Sequence, residues 1–154
     1  MKPKIRRRVQ KDIARKNFRQ GGIDMNKIIH IEPLYRDLMV HFGSPKSLRK
    51  ELKRYVDESV IKRVYDDNEF NGKKALTYMN QDCGVFFVWM PNKPSTAEDL
   101  GFLVHELFHA VVEMCEIIGA ELVSQSQEFY AYLIGYLTER VITDCKISLS
   151  CPVQ

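Results

Sequence analysis

Histidine is scarce in this chain, with four in 154 residues, at positions 30, 41, 105 and 109. Long apolar runs are missing altogether. No segment approaches the roughly 20 apolar residues that span a bilayer, so no membrane partner is expected. No apolar core follows the basic N-terminus, so no secretory leader is expected either. The four cysteines, Cys83, Cys115, Cys145 and Cys151, include no CxxC pair. That spacing argues against a ribbon-type metal site and for buried free thiols; Cys145 and Cys151 would pair only in an oxidising compartment. No repeat or low-complexity tract is visible. Together these absences leave one globular domain in a cytoplasmic setting.

Charge is unevenly placed. Residues 1–20 hold nine Lys/Arg and one Asp, whereas the rest of the chain holds 14 basic and 19 acidic side chains. The overall charge of +3 therefore hides a basic arm on an acidic domain. An arm of this kind, residues 2–19, suits a phosphate backbone or an acidic protein surface, or is a solvated extension. With Gly21-Gly22 as a hinge, the expected division is a flexible arm over 1–24, a domain over 25–145 and a tail over 146–154.

The order of elements reads as α+β. Residues 26–31 suit a short strand. Pro33 in a first turn, with Leu34, Leu38, Met39 and Phe42 at helical spacing, predicts a helix ending at Gly43. Ser44-Pro45 opens another helix with Leu48, Leu52, Tyr55 and Val56 on one side. Residues 61–73 are polar and irregular. Ala75 to Met79 and Val85 to Met90 form the expected hairpin, its turn at 80–84 and its end at Pro91. A helix capped by Ser95 or Thr96 should reach Ile118 and stop at Gly119. A last helix should run from about Ser124–Ser126 to Asp144.

The segment His105-Glu106-Leu107-Phe108-His109 falls inside the first of these two long helices. Histidines at i and i+4 stand one turn apart on one face, close enough to share an ion, and neutral imidazole suits Zn²⁺. Glu106 lies about 100° round the helix from His105, where it can face a metal-bound water without ligating. Leu100, Leu103, Val104, Leu107, Phe108, Val111 and Cys115 make the expected apolar face, and the two histidines lie off it. A catalytic zinc needs a third protein ligand. His30 and His41 both lie upstream. Glu116 is about 10 Å beyond His109 along the axis and Glu113 about 12 Å beyond His105, too far for one ion. Glu128 is the better candidate, because it opens a helix of mostly apolar and aromatic residues where a carboxylate is costly unless paired or coordinating. Its role as a simple helix cap is the competing reading. Ala131 and Gly135 on its side would let the two helices approach closely.

These residues resemble the gluzincin branch of zinc peptidases, in which HExxH is followed after eighteen residues by Glu; here residues 110–127 separate His109 from Glu128. The stretch from Ser95 to Ile142 also resembles the minimal zincin-like domains of bacteriophages and mobile elements. The resemblance implies a zincin-like fold, a small antiparallel hairpin or sheet packed on an active-site helix and a following ligand-bearing helix. It implies a zinc-dependent endopeptidase, with His105, His109 and Glu128 as metal ligands and Glu106 as general base. It also implies an edge strand that takes the substrate, a role that Val85, Phe86, Phe87 and Val88 match in order. Tyr132 and Tyr136 are candidates for the transition-state donor. The Gly-x-Met-Glu-Asn exopeptidase motif is absent, and Tyr132 stands where thermolysin-like members place an Asp. The alternative is a non-catalytic structural or assembly protein of a virus particle, keeping the fold and using its basic arm to bind nucleic acid or an acidic partner.

Overall fold

The computed structural model describes residues 24–64, 68–81 and 85–149. The arm, the Gly21-Gly22 hinge, the hairpin turn proper, Cys83, Cys151 and most of the tail lie outside these residues.

Met25–Ile31 forms β1 and Arg36–Phe42 forms β2. A 3₁₀ turn over Glu32–Leu34 joins them, closed by Tyr35 at φ 48°. The helix expected after Pro33 is therefore a turn and a strand. Leu34, Leu38, Met39 and Phe42 satisfy a helical period, but Leu38, Val40 and Phe42 also alternate with Met39 and His41. Pairing with partners distant in sequence decides between the two. Along its whole length β2 pairs antiparallel with β1, and its second half pairs parallel with the strand Val85–Met90.

That last strand, β4, also pairs antiparallel with β3, Leu76–Asn80. The sheet is thus mixed and four-stranded, in the order β1-β2-β4-β3. Its composition explains the place of β4: Val85-Phe86-Phe87-Val88-Trp89-Met90 is apolar at every position and buried at every position. A strand buried on both faces needs no alternation. One face, with Phe86, Val88 and Met90, joins Ile29, Ile31, Leu38, Val40 and Phe42 in the larger core. The other, with Val85, Phe87 and Trp89, packs with Met39, Leu48, Leu52, Ile61 and Phe70.

Among the described residues four helices cover these faces. α1, Pro45–Leu52, is capped by Ser44, whose hydroxyl accepts from the Ser47 amide, and it buries Leu48 and Leu52. α2 spans Glu58–Val64, so the polar stretch begins inside a helix. α3, Ala97–Ile117, starts in a capping box between Thr96 and Asp99 and buries Leu103, Leu107, Ala110, Val111, Met114 and Cys115. Of the expected apolar face, Phe108 is 38% exposed. Gly119, at φ +72°, ends this helix as its sequence predicts. α4, Gln127–Asp144, packs through Tyr130, Leu133, Leu137 and Val141. The Tyr130 hydroxyl donates to Ala120 O at 2.6 Å, tying the start of α4 to the end of α3.

The architecture is α+β, three layers deep, with α3 and α4 on one face of the sheet and α1 and α2 on the other. Cys115 and Cys145 are buried free thiols, and burial pushes the Cys145 thiol up to about 11. Among the described residues no helix is long and apolar enough to cross a membrane.

Candidate metal centre

The middle of α3 presents His105 and His109 away from its core contacts, with Glu106 between them against β3. Both histidines are exposed and Glu106 is half-buried. The i, i+4 spacing turns the two imidazoles toward one point: their Nε2 atoms are 3.0 Å apart, with ring centroids at 4.7 Å and planes at 82°. Two nitrogen ligands on one tetrahedral ion sit at about this separation, given Zn–N bonds of roughly 2.0–2.1 Å. The donor chemistry and the convergence of His105 and His109 fit half of a zinc site.

Glu106 faces the sheet. The Thr77 hydroxyl, from β3, donates to Glu106 Oε2 at 2.7 Å and also lies 2.8 Å from the Glu106 backbone oxygen. A hydroxyl carries one proton, so it serves the carboxylate and the carbonyl by turns. The contact orients the Glu106 carboxylate toward β3. Beside it lies an open cavity of about 340 Å³, lined by Thr77, Tyr78 and Met79 from β3 and by Glu106, His109 and Glu113 from α3. Thr77 escapes a reading of the sequence, since nothing separates it from any other strand threonine.

Other expected site residues lie elsewhere. Glu128 is exposed in the first turn of α4. Among the described residues no three His, Cys, Asp or Glu side chains are grouped to hold a metal. Ala131 and Gly135, expected to bring the helices close, are exposed, and a Cβ added at Gly135 would meet nothing within 4 Å. The contact between α3 and α4 runs instead through the stripe from Tyr130 to Val141. Tyr132 is 65% exposed and stacks on Tyr136 at 6.4 Å, with the Arg140 guanidinium 6.0 Å from the Tyr136 ring. Neither tyrosine lines the cavity beside Glu106.

The expected substrate strand also changes. Val85, Phe86, Phe87 and Val88 belong to β4, which lies between β2 and β3 and is buried throughout. Among the described residues the sheet ends at β3 on this side, and β3 carries the Thr77 that touches Glu106. Strand order around the site was invisible in sequence order because β4 inserts between β3 and β2.

No known protein family matches this chain, nor does any curated protein or solved structure.

Proposed function

We propose that this protein is a zinc-dependent peptidase, with His105 and His109 holding the ion and Glu106 acting as general base. The convergence of the two Nε2 atoms beside a carboxylate pinned to the last strand of the sheet carries this reading. Glu128 is proposed as the third ligand on the sequence interval alone. Zinc, when bound at such histidines, acidifies a water and polarises a carbonyl. The work of the chain itself is to orient and to move a proton. Thr77 orients the Glu106 carboxylate, which receives a proton from the attacking water and returns it to the leaving amine. An extended peptide adding to the outer edge of β3 would pass beside this carboxylate, its main chain supplying the hydrogen bonds.

Metal analysis with hydrolysis of a denatured protein substrate tests the proposal. Glu106→Gln should keep bound zinc and lose roughly 10²–10⁴-fold in turnover. His105→Ala should lose metal and activity together. Full turnover by the zinc-loaded Glu106→Gln variant would overturn the catalytic role, and unchanged zinc affinity in Glu128→Gln would remove that ligand.

The second reading is a non-catalytic structural or assembly protein, a virus particle being one setting, and the nine Lys/Arg against one Asp in residues 1–20 support it. That reading expects no hydrolysis at saturating zinc. It also expects a salt-sensitive association with nucleic acid or an acidic partner that disappears when residues 1–20 are removed.

A further inference from the structure

A larger cleft, of about 460 Å³ between β1 and α1 with His41 in its wall, mixes Lys27, Lys50 and Arg54 with Asp24 and Glu51, and so favours neither sign of charge. The cavity beside Glu106 is one-sided. Its ionisable lining on α3 is Glu106, His109 and Glu113, and no Lys or Arg lines it. Glu113 stands one turn beyond His109, about 6 Å along the helix axis. It is exposed, and among the described residues it makes no ion pair or side-chain hydrogen bond. Lys74, just before β3, lies over the Phe102 ring at 6.0 Å, on the other side of Glu106 along α3. On the β3 wall Thr77 reaches Glu106 and Met79 packs against the larger core, while Tyr78, between them, stacks on Phe87 on the opposite face. Met79 therefore gives the cavity an apolar wall and Glu113 gives it an unpaired carboxylate.

We propose that Glu113 selects a basic side chain, Lys or Arg, in the peptide that occupies this cavity, an inference that rests on the peptidase reading. Such side chains lay an apolar stem on apolar surface and carry their charge at the tip. Met79 takes the stem and Glu113 the head. Glu106 shares its turn of α3 with the histidines proposed to hold the cation, which leaves Glu113 as the carboxylate without a counter-charge. The surroundings carry the same sign. Residues 97–144, which form α3, α4 and the turn between them, hold nine Asp/Glu against one Arg, and that Arg140 is paired with Asp144 at 2.8 Å. A surface of this sign draws basic polypeptides and repels acidic ones.

Decapeptide libraries, random in uncharged residues around a central lysine, Nε-acetyl-lysine or glutamate, separate the charge from the stem. Cleavage by the full chain at saturating zinc is measured beside binding to its Glu106→Gln variant, followed at the Thr77 and Met79 amides. Both readouts should favour lysine over acetyl-lysine by roughly 3–5-fold, as one exposed ion pair does, with glutamate the poorest. Glu113→Gln should remove the lysine preference and Glu113→Lys should turn it toward glutamate. Glu116→Gln, on the same helix but outside the cavity, should keep it. Lysine-selective binding that depends on Glu113, without any cleavage, would sustain this assignment and sink the peptidase reading. Binding with no lysine preference, or with one that survives Glu113→Gln, would overturn the assignment whether or not peptides are cut.

Discussion

At the scale of single residues, the two polar centres differ in what their surroundings do to them. Glu106 is half-buried and held by one hydroxyl from the sheet. Under the proposed peptidase mechanism Thr77→Val should lower kcat roughly tenfold, as loss of an outer hydrogen-bond partner does, with KM little changed and Thr77→Ser restoring most of the rate. His41 sits in the wall of the other cleft, where burial holds its pKa below the usual 6.5, partly offset by Asp24 and Glu51. The unfolded chain then binds a proton at higher pH than the folded chain. The contribution of His41 is fully present above 6.5 and is lost as pH falls through 6.5 toward the lower folded value. Urea unfolding at pH 7.5 and at pH 5.5 should show lower stability at the acid end, with a smaller difference in His41→Gln; an equal difference would assign the slope to other groups.

The helices behave differently as elements. α3 is specified locally at both ends, by the Thr96–Asp99 capping box and by Gly119 in the left-handed region. Its residues there do the same thing in isolation as in the fold, which is why its limits were legible. Thr96→Ala should cost about 1 kcal/mol in thermal or urea unfolding, the usual value of an N-cap. α4 has no side-chain cap at Ser126 and is held by the stripe Tyr130, Leu133, Leu137, Val141. Its aromatic content gives little indication of direction: Tyr132 and Tyr136 look like core by composition, yet Tyr132 is 65% exposed. Leu133→Ala, at a position 0% exposed, should cost about 2–5 kcal/mol, far more than Tyr132→Ala, and comparison of their unfolding midpoints checks which face is inside.

Over the whole molecule, the decisive strand is β4. It contributes to both cores, with Val88 and Trp89 on opposite faces, each nearly or wholly buried. Trp89 also donates to Gly43 O at 2.9 Å, linking the sheet to the turn before α1. Trp89→Ala should cost about 3–5 kcal/mol and loosen α1 and α2 before α3, which hydrogen exchange resolves by helix.

Local chemistry by itself determined the two long helices, the strand at 85–90, the α+β class and the pairing of His105 with His109, because caps, turn residues and an i, i+4 spacing act within a few residues. Only tertiary structure decided the identity of β2 and the order of the sheet. The apolar residues of β2 fit two periods equally well, and the partners that settle the choice lie on β1 and, nearly fifty residues away, on β4. The same holds for the site. A helix brings two imidazoles together without help, whereas Thr77 reaches Glu106 only because β3 packs beside α3 as the last strand of the sheet, and the exposed place of Glu128 follows from which stripe of α4 the core accepts.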